Sequence, residues 1–190
     1  MSSDFAAARI NMVDSQIRIN DVTDFALQDA LLATPREACV PADQGFRAYA
    51  DLEVEYAPGR WLLRPRDVSK LLQFMHPKAG EKALAIAAPY AGAVLENMGL
   101  SVTYLSEGDL TAVPGGSYDV IVVEGGVAQV PASWTEALAL GGRLGVVERK
   151  GSVGRAMVYV RAADGVGGRA AFDSAAPLLA GFEPEAKFVF

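Results

Sequence analysis

Residues 82–99, KALAIAAPYAGAVLENMG, constrain the fold of this chain more than any other stretch. Residues 83–87 are a short unbroken apolar run, the pattern of a parallel strand buried on both faces. Ala88 and Pro89 break it. From Tyr90 on, Val94, Leu95 and Met98 fall on one face of a helix, and Gly99 stands where a helix stops. Residues 100–105 (LSVTYL) read as a second strand. Strand, tight turn, helix, strand is the opening unit of an open α/β sheet. Ligands of such sheets sit beyond the carboxyl ends of the strands, over that first turn. Here the turn is Ala87, Ala88, Pro89, where a ligand-cradling turn carries glycines.

The flanking sequence extends the same architecture. Residues 118–123 (YDVIVV) and 144–147 predict two more buried strands, the first with Glu124, Gly125 and Gly126 at its carboxyl end. Between them a short helix runs through Trp134, Ala137 and Leu138, ended by Gly141 and Gly142. Residues 156–160 and 170–172, joined by a glycine-rich turn over 164–168, read as an antiparallel hairpin at the sheet edge. Glycines and Pro114 make a long helix improbable over 106–117.

Upstream, residues 5–34 read as two helices, one with an Ile10, Val13, Ile17 stripe and one capped by Thr23. Pro65 opens a third at its tolerated first position, and Val68, Leu71, Leu72 and Met75 give it one buried face. The carboxylates Asp51, Glu53 and Glu55 alternate with Leu52, Val54 and Tyr56. That spacing fits the solvated face of a half-buried strand better than a catalytic pair. The apolar tail over 177–190 is expected to dock.

Composition narrows the function classes. At 190 residues and 51% hydrophobic, the chain suits one domain with a full core. The net charge of −6 argues against nucleic acid as partner. Cys39 is the only cysteine and His76 the only histidine, so neither a disulfide nor a cysteine-rich metal site is expected. No apolar stretch is long enough for a membrane span, and the first residues do not read as a secretory signal. A cytoplasmic protein is the default expectation.

Five segments carry a resemblance. MVDSQIR (12–18) resembles the M-V-x-x-Q-I-R opening of protein-L-isoaspartate O-methyltransferases. PREACVP (35–41) is similar to their P-R-x-x-F-V-P connector, with Cys39 in place of the aromatic residue. GRWLLRP (59–65) stands where they have G-Q-x-x-S-Q-P, YDVIVV matches their Y-D-x-I strand, and LGGRL (140–144) their G-G-R-L. The resemblance implies a Rossmann-like class I methyltransferase sheet with helices on both faces and an antiparallel edge hairpin. It also implies S-adenosylmethionine as cofactor and a protein or peptide substrate, methylated on isoaspartyl carboxylates. A homodimer is a further possible partner.

Three departures from the family pattern fall at the implied site. The cofactor loop is about two residues short and has Ala87, Ala88 and Pro89 for its small flexible residues. The family's active-site serine falls on Leu63, and a neighbouring threonine on Trp61, leaving no catalytic residue to carry over. One edge strand-helix unit is missing, with only residues 106–117 in its place. The cofactor-binding set, if retained, is Ala87, Ala88, Tyr90, Glu107 and Glu124, with Ser106 or Glu107 at the ribose-binding position. The clustering of departures favours a degenerate relative acting as a binding or assembly module, with the active protein-repair methyltransferase as the alternative.

Overall fold

The computed structural model describes residues 5–184. Strands β1 (Val54–Ala57) and β2 (Arg60–Leu62) form a small hairpin. The main sheet contains β3 (Lys82–Ile86), β4 (Ser101–Leu105), β5 (Tyr118–Val127), β6 (Leu138–Lys150), β7 (Val153–Ala162) and β8 (Gly165–Asp173). Its order is β4-β3-β5-β6-β7-β8. The strands β4, β3, β5 and β6 are parallel, and β7 and β8 add antiparallel. The expected opening unit therefore lies inside the sheet, with β3 flanked by β4 and β5. This is the α/β architecture read from the sequence. Residues 106–117 link β4 to β5 with neither helix nor strand, and β4 is an edge of the sheet.

Four helices, α1 (Phe5–Met12), α2 (Phe25–Ala33), α3 (Pro65–Met75) and α4 (Pro89–Asn97), bury side chains in the core on one face. The other face is thinner. There α5 (Ala132–Glu136) supplies Trp134, joined by Leu110 of the link and by Leu179 and Phe182 near the C-terminus. Two glycines set how closely the first layer approaches. A Cβ on Gly145 of β6 would run into Met75 and Leu71, and one on Gly92 of α4 would run into the Tyr104 ring. The amphipathic α3 therefore sits directly on the sheet, with Val68, Leu71, Leu72 and Met75 all buried as its spacing predicts.

The structure corrects several boundaries. A π-helical turn over Val13–Ile17 follows α1, so the expected stripe breaks: Val13 and Ile17 are buried but Ile10 is 55% exposed. The cap of α2 is Asp24, whose side chain accepts from the Leu27 N–H at 3.1 Å, rather than Thr23. Gly141 and Gly142 do not end α5; they lie within β6, where Gly141 takes φ +77° at an irregularity against β5. The hairpin strands β7 and β8 are much longer than expected, and Gly165, Gly167 and Gly168 belong to β8. Glu53 pairs with Arg64 at 2.9 Å, and the strand alternation begins only at Val54. The tail is docked through Leu179 and Phe182, while residues 185–190 lie outside the described residues.

Candidate functional site

The candidate site forms where β3 and β5 end and α4 begins. β3 stops at Ile86 because Ala87 turns into a left-handed conformation, φ +46°, which favours glycine. The Ala87 N–H donates to Leu105 O at 2.9 Å, and its carbonyl accepts from the Tyr56 hydroxyl at 3.1 Å. Pro89 occupies the first position of α4, where its missing N–H costs nothing. The N–H groups of Tyr90 and Ala91 are thereby left pointing out of the helix end.

Glu124 supplies their acceptor. β5 continues past the expected Val123, and the Glu124 side chain crosses to α4. Its Oε2 accepts from Tyr90 N at 3.1 Å and Ala91 N at 3.0 Å, and its Oε1 from Leu63 N at 3.3 Å. Burial pushes this carboxyl up to about 7, against the lowering pull of Arg36 and the three N–H donors. Arg36, also buried, donates through Nε to Ala48 O at 2.6 Å and through Nη2 to Leu63 O at 2.5 Å. Its guanidinium lies over the Tyr90 ring, 4.5 Å from the centroid. Half-buried Cys39 is pushed up to about 12 by desolvation, with Glu124 contributing, so it is no thiolate nucleophile. Desolvation also raises the phenols of Tyr56 and Tyr90.

A strap closes the top of this arrangement. Gly126 N donates to Pro177 O at 2.7 Å, Leu179 N to Gly126 O at 2.8 Å, and Ala180 N to Gly59 O at 3.2 Å. Gly125, at φ +129°, and Gly59 lie directly against the strap: a Cβ on the first would collide with Leu179 and one on the second with Ala180.

Of the residues expected at a cofactor site, the fold gathers Ala87, Ala88, Tyr90 and Glu124, all fully buried. Glu107 is not among them. It is exposed in the link beyond β4, with Ser106 half-buried beside it. Leu63 is fully buried and Trp61 half-buried, so the position of the family serine faces the protein interior. Arg36 was not singled out by the sequence, where it is simply part of PREACVP; a lone arginine between two prolines carries no periodic signal. Among the described residues no group of histidine, cysteine, aspartate and glutamate could hold a metal ion, and no helix is long and apolar enough to cross a membrane.

The protein-L-isoaspartate O-methyltransferase 1 of Rhodopseudomonas palustris is 30% identical to this chain, over 75% of the chain and 70% of that protein. The chain belongs to the protein-L-isoaspartate O-methyltransferase family. Another member, from Methylorubrum populi, is 28% identical over 73% of the chain and 78% of its own length. No family model matches the chain. Two solved structures show the same fold. A Plasmodium falciparum protein of this family, crystallised with S-adenosyl-L-homocysteine, superposes with a TM-score of 0.71 at 13% identity, covering 92% of this chain and 97% of that one. A second protein-L-isoaspartate O-methyltransferase gives 0.70 at 19% identity, covering 91% and 66%. The methyltransferase family reading and the Rossmann-like fold both hold. S-adenosylmethionine is the family's cofactor, and its substrates are isoaspartyl residues of proteins.

Proposed function

We propose that this chain is a protein-L-isoaspartate O-methyltransferase relative that has lost methyl transfer and acts in the cytoplasm, as one domain, to bind a protein or peptide partner. One observation carries the reading. At the turn after β3, where the family's cofactor would lie, Ala87, Ala88, Tyr90 and Glu124 are fully buried by the protein itself. These residues do not fit S-adenosylmethionine. The methyl groups of Ala87 and Ala88 stand where backbone must approach a ligand closely, and Pro89 offers no N–H. The Glu124 carboxylate already takes the two N–H groups at the start of α4. Relative to the family pattern, the 106–117 link stands in place of an edge strand-helix unit, which leaves little to enclose an adenine.

The active alternative, an enzyme that esterifies isoaspartyl carboxylates in damaged protein, is favoured by the 30% identity to the Rhodopseudomonas palustris enzyme. Methyl transfer mainly requires a carboxylate positioned against the methyl group, so loss of the serine at Leu63 alone is compatible with it. Calorimetric titration with S-adenosylmethionine separates the two. The expected dissociation constant lies above about 1 mM, less than about 4 kcal/mol of binding free energy. Saturable micromolar binding refutes the non-methylating reading and makes the active enzyme the better one.

A further inference from the structure

The two edges of the main sheet are unlike. β8 carries three glycines and Arg169, and its ladder to β7 shifts register between Ala156 and Met157. Charges and bulges keep an edge from pairing with another chain, and glycines weaken it. β4 (SVTYL) has none of these and pairs with β3 in unbroken register. Ser101 N donates to Glu81 O at 3.0 Å and Ala87 N to Leu105 O at 2.9 Å, so Ser101, Thr103 and Leu105 face β3. The N–H and C=O groups of Val102 and Tyr104 therefore point away from the sheet, and no hydrogen bond from the rest of the described chain reaches them. The link over residues 106–117 leaves this edge bare. It passes under the thin face, where Leu110 is buried and its carbonyl accepts from Trp134 Nε1 at 2.7 Å. Thr103 and Tyr104 are both exposed.

We propose that β4 is a dimer interface, pairing antiparallel with β4 of a second copy about a two-fold axis at Thr103. The strand is complementary to itself in this register. Val102 lies opposite the partner's Tyr104, and Tyr104 opposite the partner's Val102. These are the residues with open groups, so the two pairs exchange four hydrogen bonds. Thr103 meets the partner's Thr103 in the closer, non-hydrogen-bonded pair between them. A slip of one residue sets Val102 against the partner's Thr103, whose groups β3 already holds. On the α4 face, valine meets the tyrosine ring that lies over Gly92; on the other face, threonine meets threonine. Both are favourable cross-strand pairs. Charge favours the same antiparallel sense. Glu107 follows the carboxyl end of β4, and Lys78 and Lys82 lie beside its amino end, all three exposed and outside the ion pairs of the described residues. Glu81, near the same two lysines, is held by Arg143. Antiparallel pairing brings the acidic end of each strand to the basic end of the other. Five-residue strands make a contact smaller than the roughly 1,600 Å² of a standard interface, so the dimer forms in the micromolar range.

Sedimentation velocity should show the wild type passing from the 20.0 kDa chain to twice that mass across the micromolar range. Cofactor binding in the crevice has no bearing on this edge. Thr103→Lys changes an exposed side chain and leaves the bonds to β3 in place. It sets two ammonium groups against each other at the axis, and should keep the chain monomeric with its near-ultraviolet circular dichroism unchanged. In a Cys39→Ala background, Thr103→Cys should form a disulfide dimer under mild copper–phenanthroline oxidation, because the Cα atoms of such a facing pair lie about 4.5 Å apart. Ser101→Cys, also exposed and on the same face, should not, because its two copies stand roughly 14 Å apart in this register. A wild type that stays monomeric, whether or not an added extended peptide pairs with the edge, overturns the proposal. So does a dimer that survives Thr103→Lys, or one that cross-links as well through Ser101→Cys as through Thr103→Cys.

Discussion

The ionisation of Glu124 should be visible in the stability of the whole protein. Its carboxyl is raised by burial from an ordinary 4.5 to about 7 in the folded state. A group whose folded pKa lies above its unfolded one contributes stability that is fully present below about pH 4.5. That contribution is lost as the pH rises through about 7. A shift of this size corresponds to about 3 kcal/mol. The groups around it do not titrate in this window: Cys39 is held near 12, and burial raises Tyr56 and Tyr90 above their ordinary value. Urea unfolding of the wild type and of Glu124→Gln between pH 5 and 8 isolates the effect. The glutamine keeps the shape of the side chain and an oxygen for Tyr90 and Ala91. It turns a donor toward Leu63 N, but that cost does not vary with pH. The stability difference, wild type minus Glu124→Gln, should therefore fall by about 2.5 kcal/mol from pH 5 to pH 8, the part of the shift that this window spans. A flat difference would mean that Arg36 and the three N–H donors compensate the burial in full. A rising one would mean that they dominate, and either result refutes the reasoning.

Two further perturbations test the frame and the site. Leu72 is fully buried on α3, so Leu72→Ala should cost about 2–5 kcal/mol in denaturant melts. Lys70, half-buried with its ammonium 5.4 Å from the Phe172 ring centroid, should cost less than about 1 kcal/mol as Lys70→Ala; equal losses would mean the buried face of α3 is misassigned. Leu63→Ser restores the family's serine position but should not give methylation of an isoaspartyl peptide, and it should lower stability by at least about 2–5 kcal/mol, since it removes a fully buried leucine side chain and puts a hydroxyl in an apolar core. Methylation by this variant and not by the parent would show that the turn after β3 still accepts cofactor.

The fold was legible because its central parallel strands β3 and β5 are buried on both sides and its helix α3 on one. β3, β5 and α3 announce themselves by composition and spacing alone. What the sequence concealed were places where a local signal met a tertiary override. Gly141 and Gly142 look like a helix stop, yet they serve as an irregularity within β6. The glycines at the start of β8 look like a turn, yet the ladder to β7 carries them: a Cβ on Gly168 would collide with the Tyr159 ring, so the strand needs a glycine there for packing. The π-helical turn after α1 adds a residue to the register and rotates Ile10 out to solvent. Periodicity assumes a constant turn, and it fails wherever the helix changes its own.

The site divides along a different line. Its place, the turn between β3 and α4, followed from topology, and so did the gathering of Ala87, Ala88 and Tyr90 there. Its chemistry did not. Glu124 was visible at the end of a strand, and there a carboxylate reads as a ligand for a cofactor. Only the fold reveals that the side chain turns inward and accepts from the Tyr90 and Ala91 N–H groups. Arg36 lies far from it in sequence and meets it through the peptide of Leu63, a backbone contact that no residue pattern encodes. On the reading proposed above, the departures at Ala87, Ala88 and Leu63 act together rather than separately. Ala88 and Leu63 pack in the same core cluster as Tyr90, and the Arg36 guanidinium offsets part of the cost of burying the Glu124 carboxylate there. On that reading, a glycine returned to the turn, or a hydroxyl to position 63, leaves Glu124 on the Tyr90, Ala91 and Leu63 N–H groups, so the site stays occupied.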